Sequence, residues 1–171
     1  MQMLPTEPHH IPEIMQIIDD AVGYLASKNI DQWQNGYPNQ EQIENDIANK
    51  ESYVVLNAEG IIMGTTMFTL RSEPTYKVIE GEWIIDESQP YGVIHRMAVS
   101  NKFRGHGVAK FLFDKCHGLL QSKGIQSLKI DTHEENLAMQ SLIKSQGYKY
   151  CGIIYTNYGA KRLAFEKVLS K

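Results

Sequence analysis

Apolar residues early in the chain fall at helical spacing. Ile11, Ile14, Met15, Ile18, Val22 and Leu25 recur at steps of three and four, which lines one face of a helix. Asn39, with Gln42 three residues on, is a capping-box pattern and predicts a second, short helix reaching about Ala48. The period then changes. "SYVVLNAEGIIMGTTMFTL" reads as two strands around a turn at Asn57–Gly60, an antiparallel hairpin with its methionines in the core. Between Arg71 and Pro90 the pattern weakens. A third strand is predicted around Tyr76–Ile79, and Trp83-Ile84-Ile85 fits a strand or a loop.

From Val93 the chain alternates. An apolar strand, Val93–Val99, leads into a helix from about Gly105 to Ser122, with Val108, Phe111, Leu112, Cys116, Leu119 and Leu120 on one face. Gly124 stops it. "SLKIDT" is a strand. Thr132 and Glu135 form another capping-box pattern, predicting a helix that ends before Gly147. "YKYCGIIYT" and "AKRLAFEKVL" are strands joined by the hairpin signal "NYG". This order predicts an α+β fold with a mixed sheet, parallel where the strand–helix–strand unit crosses over.

At 171 residues the chain is the length of one domain, and residues 1–171 are taken as one. A net charge of −3 gives no strong field of either sign, so a nucleic-acid partner is not expected. Two cysteines in apolar contexts, Cys116 and Cys151, have no metal-ligand spacing and no disulfide framework. No metal is expected. The N-terminus lacks a signal-peptide pattern, and no apolar run approaches the roughly 20 residues that span a bilayer. A cytoplasmic protein with no membrane partner is the expectation.

The chemistry gathers at the strand–loop–helix unit Val93 to Cys116. Glycines just before a helix let a ligand approach backbone N–H groups that carry the positive end of the helix dipole, a site suited to phosphate. Arg104 adds charge, and Lys110 lies one turn into the helix. The alternative is that Gly105 and Gly107 merely permit a tight turn. A P-loop would need Gly-Lys-Ser/Thr where Gly107-Val108-Ala109 stands, and a dinucleotide fingerprint would need a third glycine after the first strand.

Arg104-Gly105-His106-Gly107-Val108-Ala109, after an apolar strand and opening a helix, resembles the pyrophosphate loop of GNAT-family N-acetyltransferases, whose pattern is Gln/Arg-x-x-Gly-x-Gly/Ala. The run from Asn136 to Tyr148 resembles the same family's Asn-led helix ending in Gly-Phe/Tyr. The resemblance covers most of the chain. It implies a three-layer α/β/α sandwich whose mostly antiparallel central sheet is splayed at the acetyl-CoA site. It implies acetyl-CoA as co-substrate, with the backbone of Met97 and Val99 pairing the pantetheine arm. Amides from Arg104, Gly105, His106, Gly107, Val108, Ala109 and Lys110 would hold the pyrophosphate, and Asn136 would bond the pantetheine. The amide of Val99 or a neighbour would polarise the thioester carbonyl.

The implied reaction is attack of a primary amine, of a small molecule or peptide, on acetyl-CoA. An amine with a pKa near ~10.4 must lose a proton first. His95 is the first candidate base: strand alternation puts Val93, His95, Met97 and Val99 on one face. A histidine bonded to a neighbouring strand is the competing reading. Glu80 and Glu82 are runners-up as base or amine-binding anion, or are solvated charges. The tyrosine acid usual in the family, seven residues after the helix-leading Asn, is replaced by Ile143. Tyr148, Tyr155 or Tyr158 are candidates for its role. Trp33 and Tyr37 are candidates to hold the acceptor amine, or else they pin a loop to the core. A non-catalytic acyl-CoA-binding module of the same fold and a nucleotide-binding protein stay open as alternatives. An edge strand in the closing hairpin is compatible with a homodimer.

Overall fold

The computed structural model describes residues 1–86 and 88–170. These form eight strands and four α-helices: β1 (Gln2–Pro5), α1 (Ile11–Ser27), α2 (Gln40–Ala48), β2 (Ser52–Leu56), β3 (Ile62–Thr69), β4 (Glu80–Gly81), β5 (Tyr91–Val99), α3 (Val108–Gln121), β6 (Ser127–Thr132), α4 (Leu137–Ser145), β7 (Lys149–Tyr155) and β8 (Lys161–Val168). The fold is mixed α+β with a mostly antiparallel open sheet, as expected. The chain divides into two compact units. One comprises Met1–Phe68 and His95–Lys115, the other Thr69–Ile94 and Cys116–Lys171. Both β5 and α3 begin in one unit and end in the other.

In the first unit β1, β2, β3 and β5 hydrogen-bond in that order, with β1–β2 and β2–β3 antiparallel. The apolar stripe of α1 is what drives the packing. Ile11, Ile14, Ile17 and Ile18 are buried against Ile43 of α2, Val54, Ile62 and Ala98. The hairpin turn is held by Asn57, whose side-chain oxygen accepts from the amides of Glu59 and Ile61. Met63 and Met67 are core residues, as expected. The cap of α2 is also as read from the sequence: Asn39 Oδ1 accepts the Gln42 amide at 2.9 Å.

In the second unit the order is β5, β6, β8, β7, β4, with β5–β6 parallel and the other pairings antiparallel. Tyr76, Trp83, Tyr91, Val93, Cys151, Ile154 and Ala164 form its apolar cluster. The weak strand β4 crosses β7 glycine on glycine. A Cβ on Gly81 would lie 2.1 Å from the Cys151 carbonyl, and one on Gly152 would lie 2.2 Å from that of Glu80.

Two local expectations need correction, one open reading resolves to a loop, and one strand is new. The strand expected at Tyr76–Ile79 is instead a 3₁₀ turn, Pro74–Tyr76, started by Glu73, and the strand that follows is only Glu80–Gly81. Trp83 is a buried anchor whose indole N–H donates to the Tyr76 carbonyl at 2.9 Å, which explains why its neighbourhood has no strand period. The helix expected from Thr132 starts four residues later, because Asn136 rather than Thr132 supplies the cap. Strand β1 went unread: four residues are too few to show a period.

Candidate active site

The glycine loop lies in the first unit. After β5 the chain makes a 3₁₀ turn, Asn101–Phe103, and then passes through Gly105 and Gly107, both left-handed at φ +78° and +77°. That backbone favours glycine, and it is why α3 begins at Val108 rather than at Gly105. The amide of Phe111 donates to the Gly107 carbonyl, the first α-helical bond, so the amides of Val108, Ala109 and Lys110 have no acceptor within the helix. A Cβ placed on Gly105 or Gly107 would meet no heavy atom within 4 Å, so the approach to the backbone is open.

Side chains shape the loop further. The Arg104 guanidinium stacks over the Tyr24 ring of α1 at 4.6 Å, a contact that holds its charge beside the loop. The His106 ring packs edge-on to Phe103, and its Nδ1 lies 3.1 Å from the Arg104 carbonyl. Lys110 pairs with Asp114 on its own helix, at an exposed site. Val108 is buried and tucks against β3 at Gly64, where an added Cβ would sit 3.0 Å from both Val108 Cγ1 and the Ala98 carbonyl. These features match what a pyrophosphate needs: open backbone, unpaired amides and a positioned cation.

On β5, His95 is half-buried, and Thr66 Oγ1 lies 3.3 Å from its carbonyl. Arg96, the next residue, has φ +52°. A left-handed residue inside a strand breaks its regular alternation. The parity that put Val93 and His95 on one face with Met97 and Val99 therefore does not carry across Arg96. Its side chain makes a bidentate pair with Asp46 of α2, Nε–Oδ2 and Nη2–Oδ1 both at 2.7 Å, and Nη1 donates to the Tyr37 hydroxyl at 2.5 Å. Burial opposes its charge, but Tyr37 and Asp46 outweigh burial and hold its pKa above the ordinary value.

Tyr37 is thus tied to a buried cation through its hydroxyl. Trp33, left-handed at φ +62°, packs on the apolar cluster of α1 and α2. Both rings are half-buried. They pin the α1–α2 connection and still leave part of each face in solvent.

The remaining candidates belong to the second unit. Asn136 is buried and caps α4, with its Oδ1 accepting the Met139 amide at 3.1 Å. Near it, at the end of β6, the buried hydroxyl of Thr132 has no hydrogen-bond partner, a polar atom the sequence reading passed over. Glu82 is exposed, and its amide donates to the Cys151 carbonyl. Glu80 accepts from the exposed Tyr155 at 3.4 Å. Tyr148 is only 4 % exposed, with its hydroxyl 3.0 Å from His117 Nε2. Burial, and after it Cys116, holds its phenol well above the usual range. Tyr158 is exposed, and Arg162 donates to its hydroxyl. Ile143, at the family's acid position, is fully buried.

With the loop and strand described, comparison with known proteins is direct. Residues 13–148 match the family model described as "Acetyltransferase (GNAT) family". A GNAT-family acetyltransferase from Streptococcus agalactiae 2603 shares 34 % identity, with 99 % of this chain and 96 % of that one aligned at a TM-score of 0.88. The ribosomal-protein-alanine N-acetyltransferase of Brucella melitensis aligns over 99 % and 100 % of the two chains, with a TM-score of 0.69 and 17 % identity. A phosphinothricin acetyltransferase from Sinorhizobium meliloti, crystallised with acetyl-CoA, aligns over 99 % and 88 %, with a TM-score of 0.68 and 13 % identity. No curated protein matches the chain in sequence. The chain belongs to the GNAT acetyltransferase family. It is an acetyltransferase, and its co-substrate is acetyl-CoA. No helix among the described residues is long and apolar enough to cross a membrane.

Proposed function

We propose that the protein is an N-acetyltransferase that moves the acetyl group of acetyl-CoA directly to a primary amine of a small molecule or peptide. One observation carries the donor half of this reading: two left-handed glycines deliver open, unpaired amides at the start of α3, beside Arg104. The amides around Arg104 to Lys110 would bind the pyrophosphate. The backbone of Met97 and Val99 would pair the pantetheine, and Asn136 would bond it as the resemblance implies.

Acetyl-CoA supplies an activated acetyl group as a thioester. His95 would take the proton of the acceptor ammonium, with Glu82 its runner-up. Trp33 and Tyr37 would line the acceptor side, with Glu82 offering charge. Tyr148, buried, bonded to His117 and with its phenol raised above the usual range, would be only a weak acid for the leaving group. A thiol with a pKa near ~8.5 leaves within about two units of neutrality, so the missing acid costs about 2 kcal/mol at most. The structural neighbour whose name specifies N-acetyl transfer supports an amine acceptor, at the level of fold.

The test is release of free CoA thiol from acetyl-CoA in the presence of polyamines, aminoglycosides and peptides. Release with at least one of them is expected. His95→Ala should then cost about 100-fold or more in kcat and remove the acidic limb of the pH–rate profile. Binding of acetyl-CoA without thiol release across the panel would instead favour a non-catalytic acyl-CoA-binding module, the reading that the buried Ile143 supports.

A further inference from the structure

Arg96 is a long side chain in a backbone region that such residues rarely adopt, in the middle of a strand. A conformation of this kind persists only where its surroundings over-determine it. Here they do. The planar fork of the guanidinium is gripped by both Asp46 oxygens, and Asp46 Oδ1 also accepts from Gln42. The two charged side chains are 8 % and 3 % exposed, so solvent offers neither a substitute partner. A third donor of the fork, on Nη1, reaches Tyr37, whose ring lies 5.9 Å from the guanidinium carbon. One residue thus joins the strand before Met97 to the α1–α2 connection. Its backbone precedes Met97, and its side chain holds the connection that carries Trp33 and Tyr37.

Resting on the function proposed above, we propose that Arg96 is a positioning residue. Through Asp46 it holds the backbone of β5 in the form that receives the pantetheine, and through Tyr37 it links that backbone to the acceptor-side loop, residues 31–39. Through this link, donor binding at β5 steadies the loop as well. A lysine would keep the charge but lose the fork, so Arg96→Lys separates geometry from electrostatics. Tyr37→Phe keeps the buried ion pair and the ring, and removes the hydroxyl bond to the guanidinium.

Hydrogen exchange read by mass spectrometry, with and without acetyl-CoA, tests this without knowledge of the amine. In the wild type, acetyl-CoA is expected to slow exchange in three segments: 95–99, 104–110 and 31–39. In Tyr37→Phe, protection of 95–99 and 104–110 should remain while that of 31–39 falls at least fivefold. Arg96→Lys should weaken acetyl-CoA binding at least tenfold. Equal protection of 31–39 in Tyr37→Phe and wild type would overturn the link, whatever the folding of the lysine variant. Wild-type affinity in Arg96→Lys would overturn the positioning role. In both cases protection of 104–110 in the wild type would leave the donor reading intact. Its absence there would end that reading and this one together.

Discussion

Single residues decide more here than their exposure suggests. Gly81 and Gly152 have left-handed φ values, +136° and +148°, and each faces the other strand's backbone at a distance no Cβ tolerates. Alanine at either should cost about 3 kcal/mol or more, from strain plus overpacking, and lower the melting temperature by roughly 6–12 °C. Gly105→Ala meets no atom, so it should cost only the φ penalty, about 1–2 kcal/mol. Calorimetric melting of the three variants checks the contrast. A second prediction concerns alkaline pH. Burial pushes the Cys116 thiol from its ordinary value of 9.0 up to about 12. A pKa raised by folding means that this stabilisation is whole below pH ~9 and drains away as pH climbs towards 12. Tyr148 acts in the same direction. Melting temperature should therefore fall steeply above pH ~9, and less steeply in Cys116→Ala. Residue chemistry was legible where it was local: Arg104, Gly105 and Gly107 stand out in the sequence by their order alone. Arg96 did not. Its partners Tyr37 and Asp46 lie 59 and 50 positions away, and its left-handed φ follows from those partners rather than from its neighbours. Thr132 was misread as a cap for a different reason: Asn136, four residues on, takes that role.

Elements with a strong period were readable and short ones were not. The stripe of α1 and the cap of α2 lie where spacing placed them, because helix spacing and capping are set within a few residues. Strands β1 and β4, of four and two residues, exist only through pairing with β2 and β7, information that no local window contains. At this scale the start of α3 is the feature on which the proposed donor site depends. Val108 meets β3 at Gly64, where a methyl group would lie 3.0 Å from Val108 Cγ1 and the Ala98 carbonyl and would force both to give. Gly64→Ala should displace the first turn of α3, lower stability by about 1–3 kcal/mol and weaken acetyl-CoA binding together. A thermal shift measured with and without acetyl-CoA separates the two effects. The ligand-induced shift should shrink in the variant, not only the baseline.

For the whole molecule, family membership and an acetyl-CoA donor rest on matches along most of the chain and on a fold shared with GNAT acetyltransferases. The two sequence blocks that carried the resemblance lie in different units of the structure, the loop at 104–110 in one and Asn136 in the other. The acceptor was not legible at any scale: half-buried Trp33 and Tyr37 and exposed Glu82 suit many amines. The central claim, that the loop before α3 holds the donor's pyrophosphate, is tested most directly by calorimetric titration with acetyl-CoA, using ATP and NAD as controls. Selective binding of acetyl-CoA, weakened tenfold or more when Arg104→Glu reverses the charge beside the loop, is the predicted result. A folded Arg104→Glu variant with unchanged affinity, or no acetyl-CoA binding by the folded wild type, would contradict it.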